Sequence, residues 1–137
     1  MSTVKTPKYI IARDVYEEAG IGWADFTDND DATGTYTCGF ELPADFFIEK
    51  CWLTDVTGFA GNTTCTIIVG DGSTDDRLMT GTPSIFTAAD AIDLGAVSAT
   101  PLVATAFRPV IIAEEDSDWG DIAAGELTIK VMGFMVR

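Results

Sequence analysis

An all-β fold, built as an antiparallel β-sandwich, is what this sequence predicts, and three observations predict it. Valine, isoleucine, phenylalanine and threonine recur in short groups, as half-buried strands require. The segments between these groups are rich in glycine, aspartate, serine and threonine, the residues of tight turns. No segment has the length and apolar spacing of a helix able to carry the chain between parallel strands. At 137 residues, 47% of them hydrophobic, the chain can build one core but not comfortably two. Roughly 7–8 strands in two packed sheets bury it most simply, with a jelly roll preferred and an immunoglobulin-like sandwich behind it.

Residues 1–8 are polar, include Pro7 and are expected to form a flexible or extended arm, leaving 9–137 as a single sandwich domain. Residues 8–16 have strand character through Tyr9, Ile10, Ile11 and Val15. Residues 19–34 contain "DFTDNDDATG", a hydrophilic connection. Residues 35–41 alternate Tyr36, Cys38 and Phe40 with threonine and glycine, so a strand is expected there, ended by a turn at Pro43. Residues 47–56 form a stronger candidate whose apolar positions break simple alternation, as in a strand covered on both faces; Trp52 is expected in the core. "GFAGN" turns the chain into residues 63–70, and the two strands read as a hairpin with a longer loop.

Residues 79–99 are small and polar enough to permit only a turn or two of helix near Ser84. Residues 102–113 return to strand character. Pro109 removes a ladder donor, which predicts an edge strand, a bulge or two short strands. The acidic run "EEDSDWGDIAAGE" leads to the closing strand, 126–136, with Leu127, Ile129 and Val131 facing a core and Thr128 and Lys130 facing out.

The formal charge of -14 narrows the partners. The eight basic residues are scattered and form no patch in the sequence, which argues against nucleic acid and anionic membranes. Cys38, Cys51 and Cys65 are widely spaced and the chain has no histidine, so a zinc site is not expected; three buried thiols are favoured over one disulfide with a free thiol. The N-terminal stretch lacks the apolar run of a signal peptide, and synthesis in the cytoplasm is expected.

The densest chemistry is "VGDGSTDD", residues 69–76. A phosphate cradle fails there because three carboxylates would repel the ligand. Ser73 has no evident base, and the stretch is not a nucleophile elbow. Asp71 with Asp75 or Asp76 offers a carboxylate pair for glycoside hydrolysis, with Trp52 or Trp119 as sugar platform, but acids are abundant throughout the chain. The same three aspartates are weak calcium candidates; a solvated turn explains them more simply. No enzyme and no cofactor is expected. Asn62, Thr63 and Thr64 form a glycosylation triplet that reads better as turn chemistry. Interface candidates are Pro7 and Tyr9 near the N-terminus, Phe46 after the Pro43 turn, and Trp119; for Phe46 and Trp119 burial in the domain's own core is an equal reading.

A pattern of turns and strands then links the segments. Leu42 and Pro43 lead into an apolar strand; 55–57 with Phe59, 62–66, and Val69 to Asp71 with Asp75, Asp76 and Arg77 follow. "TAADAIDL", 87–94, and the closing strand come in the same order. In this the chain resembles the small head-decoration, or cement, proteins and related minor capsid proteins of tailed bacteriophages. The resemblance covers most of the chain after about Tyr36 and leaves the first 35 residues unplaced. It implies a jelly roll on the outer capsid surface of the virion, often trimeric, bound to major capsid protein and clamping adjoining capsomers, with no catalytic residues. A head-fibre base, a tail component, or a calcium- or carbohydrate-binding module are the alternatives.

Overall fold

The computed structural model describes residues 12–98 and 100–136. The expected arm, including Pro7, and Tyr9 lie outside the described residues. Within them the chain forms β1 (Asp14–Gly22), β2 (Thr27–Asp28), β3 (Thr33–Thr37), β4 (Phe46–Val56), β5 (Cys65–Gly70), β6 (Ala89–Asp93), β7 (Val110–Glu115) and β8 (Glu126–Met135), with single-turn 3-10 helices at Trp23–Asp25 and Trp119–Asp121. Sheet I has the order β1-β8-β4-β6 and sheet II the order β2-β3-β7-β5. All pairings are antiparallel.

The connectivity is nested. β1 pairs with β8, β3 with β7 and β4 with β6. The free side of β5 is lined by the segment around Ser84, which bridges Thr66, while the Ile85 amide donates to the Cys65 carbonyl at 2.8 Å. A long antiparallel ribbon of such pairs, rolled so that β8 lies on β4 and β7 on β5, is a jelly roll. The β2–β3 hairpin adds one short strand at the edge of sheet II.

Alternation explains the core. β8 sends Leu127, Ile129 and Val131 inward, β5 sends Cys65, Ile67 and Val69, and β7 sends Ile111 and Ala113; all are buried. β4 first buries Phe46 and Ile48, then Cys51 and Leu53, because a bulge between Ile48 and Lys50 shifts its parity. The left-handed backbone of Asp55 (φ 53°) redirects the strand again and turns Val56 inward. The broken alternation in the sequence therefore marks irregularities in one strand and not a strand covered on both faces.

Several expectations change. Residues 47–56 and 63–70 do not form a hairpin: β4 belongs to sheet I and β5 to sheet II, and the intervening loop crosses the sandwich. That loop carries Phe59 into the core, which favours the crossing over a tight turn. No helix forms near Ser84, where the hydroxyl binds the Cys65 carbonyl and β6 follows. β7 begins directly after Pro109 and runs inside sheet II, so the missing amide falls outside the strand. The acidic connection at 28–31 is the turn of the β2–β3 hairpin, where Asp28 and Asp31 carboxylates accept the amides of Asp30 and Thr33.

Candidate functional site

The "VGDGSTDD" stretch ends β5 and becomes a latch. Val69 is buried, and Gly70 lets the backbone of Thr74 and Asp75 fold back against it. One Asp71 oxygen accepts the amides of Ser73 and Thr74 at 2.8 and 2.7 Å; the other accepts the Arg77 guanidinium at 3.0 Å. Arg77 donates further to the carbonyls of Thr100 (3.2 Å) and Leu102 (2.9 Å), and its guanidinium lies 4.7 Å over the Phe107 ring. The turn thereby fastens the long segment after β6 onto sheet II. Asp75 and Asp76 point into solvent. The three calcium candidates do not converge, and among the described residues no group of three His, Cys, Asp or Glu side chains is arranged for a metal ion.

The aromatic candidates divide. Phe46 is fully buried, edge-on to Tyr16 at 5.3 Å, and Trp119 is buried against Phe26 at 5.4 Å. Both fill their own core, the reading held equal to an interface role at each position. Trp119 fits because Gly34 has no side chain beneath its indole. Trp52, expected in the core, is instead half-buried on the outer face of sheet I, in register with Lys130 and Asp93. Trp23 is exposed.

The three cysteines are free and buried. Burial, reinforced by the nearby Glu18 and Glu115 charges, pushes the Cys38 and Cys65 thiols up to about 12, and burial raises Cys51 as well. Thiols held neutral in this way are poor nucleophiles. The Tyr36 hydroxyl, donating to the Glu18 carboxylate, is also raised by that bond and ties β3 of one sheet to β1 of the other.

Two outer faces remain. That of sheet II has a depression of about 420 Å³ floored by Ile68 and Ile112 and rimmed by Thr33, Thr66, Glu114 and Asp75. No aromatic residue lines it, so it lacks a sugar platform. The face of sheet I is organised in rows by strand register. Glu17, Lys130, Trp52 and Asp93 form one row. Val15, Met132 and Lys50 form the next. Phe134, Phe47 and Leu102 form the last, with the two phenyl rings stacked at 5.2 Å. None of these rows was visible in the sequence, because each depends on pairing across distant strands. The one local hint was the outward parity of Lys130.

The fold has a counterpart among solved structures. The chain is similar to one in a structure described as "Cyanophage Pam1 capsid asymmetric unit", with 20% sequence identity and a TM-score of 0.55 over 98% of this chain and 94% of that one. This likeness is one of fold. No protein-family model matches the chain, and no curated protein matches it.

Proposed function

We propose that this chain is a non-enzymatic structural protein of a bacteriophage virion, a decoration (cement) protein that adds to the outer surface of the head. In this reading it is made in the host cytoplasm, binds major capsid protein as a homo-oligomer, with a trimer favoured, and clamps adjoining capsomers against the pressure of packaged DNA. The observation that carries the reading is the jelly roll, matched along nearly the whole chain to a chain of a phage capsid structure. The charge of -14 supports a surface that avoids DNA, and many identical attachments on a symmetric shell turn modest contacts into high avidity.

Purified protein added to expanded capsids that lack it is expected to bind at saturable, symmetry-related sites and to raise the temperature at which the heads break. Incorporation into tails with no binding to expanded heads overturns the cement reading in favour of another virion component.

A further inference from the structure

The segment 1–11 and the rest of the chain are opposite in charge. Residues 1–11 hold Lys5 and Lys8 and none of the 22 acidic residues, so all the negative charge lies beyond them. The segment closes on Tyr9, Ile10 and Ile11, side chains suited to a pleated, half-buried surface. A basic and partly apolar segment is complementary to an apolar floor with an acidic rim.

The depression on the outer face of sheet II has that floor and that rim. Strand register sets Ile68 beside Ile112 and Thr66 beside Glu114, and alternation turns all four away from the core. The two isoleucines are half-buried and floor about 420 Å³ of space. Glu114 and Asp75 on the rim are exposed, and neither has an ion-pair partner among the described residues. β2, β3, β5 and β7 contain no lysine or arginine that could supply one.

The point where the segment joins the fold decides which copy it reaches. Arg13 donates to both carboxylate oxygens of Glu49, in the β4 bulge, at 2.7 and 3.2 Å, and Asp14 opens the β1–β8 ladder. Residue 12 is therefore held at sheet I, while the depression lies on the outer face of the other sheet. Eleven residues extend over at most about 36 Å, and reaching their own depression would use that length to pass around the sandwich. A neighbouring copy requires no such detour.

We infer that the depression on sheet II is a docking site for residues 4–11 of a neighbouring copy of this chain. Lys5 and Lys8 pair with Glu114 and Asp75, and Tyr9, Ile10 and Ile11 cover Ile68 and Ile112. Burial of the apolar side chains supplies the affinity, and the charges supply direction. Each copy gives one segment and receives one, a head-to-tail contact that closes into a ring and accommodates threefold symmetry. The inference deepens the homo-oligomer part of the proposed function and rests on that part, not on capsid binding.

Sedimentation equilibrium of the full chain tests it. Wild-type protein is expected to self-associate, and Lys5→Glu, Lys8→Glu to weaken association by about tenfold or more. Asp75→Lys, Glu114→Lys is expected to weaken it similarly, although this pair of changes lowers the net negative charge and general repulsion alone would then favour association. All four substitutions in one chain restore the complementarity with the signs exchanged, and are expected to return association to within about threefold of wild type. A monomeric wild type, a lysine variant that associates like wild type, a rim variant that associates equally or better, or a fourfold variant as weak as its halves would each overturn the inference. Capsid binding by a protein that does not self-associate would overturn the inference and leave the cement reading standing. Association that follows this charge pattern, without binding to expanded capsids, would do the reverse.

Discussion

Replacing Gly70 with alanine is expected to destabilise the protein by about 3 kcal/mol, near the upper end for overpacking. Gly70 is the last residue of β5, and the chain turns back so sharply that an added Cβ would collide with the Thr74 carbonyl oxygen and lie 2.5–2.6 Å from the Asp75 carbonyl group. These are backbone atoms held by the Asp71 amide, which donates to Thr74 at 3.1 Å, so no side chain can swing away to make room. Gly72, two residues later, provides the control. Its φ of 93° makes alanine strained, yet the nearest atom a Cβ would meet is a Val110 methyl at 3.7 Å. Gly72→Ala is therefore expected to cost only about 1 kcal/mol. Urea unfolding of both variants measures this; equal costs at the two positions would mean that the close approach at Gly70 is not what the turn depends on.

Arg77→Ala is the second large effect, expected at about 3 kcal/mol because it removes one partner of a mostly buried ion pair. The guanidinium side chain is 12% exposed, and its loss strands the Asp71 carboxylate along with two carbonyls of the segment it fastens. Packing of the arginine on Phe107 goes as well. The effect has a pH signature. Burial alone would raise Asp71, but the amides of Thr74 and Ser73 and the Arg77 charge outweigh it and hold the carboxyl below its usual range. A carboxyl depressed in the folded state stabilises the protein above its unfolded value of about 4 and loses that contribution as pH falls through the folded value. The stability gap between wild type and Arg77→Ala is thus expected to be widest at neutral pH and to narrow below about pH 4. A gap that stays constant through that range would remove the ion pair from the explanation.

The architecture was legible where alternation is local and regular. Leu127, Ile129 and Val131 declare β8 in the sequence with its inward face correct, and the apolar run within 63–70 declares β5 as a strand. β4 was found but its faces were blurred, since the bulge near Glu49 and the left-handed Asp55 shift parity without a mark that composition can show. The mistaken β4–β5 hairpin has a different cause. Neighbours in sequence usually pair, and only the burial of Phe59 in the crossing loop reveals that this loop changes sheets.

Sites followed the same rule. "VGDGSTDD" could be recognised as a strand end with exposed acids, but the latch needed Arg77 to find Asp71, Thr100, Leu102 and Phe107 across the fold. Trp119, inside an acidic loop, read equally as core or as interface; what buries it is Gly34, far away in the chain, whose missing side chain opens a slot for the indole. Trp52 looked like core because its strand is apolar, while register sets it between Lys130 and Asp93 on the outside. The rows on the outer face of sheet I arise from segments brought together by pairing, so no window of sequence could display them.

The most direct test of the whole account is a density map of a virion that carries this chain. Density of this jelly roll is expected at symmetry-related positions on the outer surface of the head, touching the capsid shell. The same density confined to the tail, or absent from the shell, would contradict it.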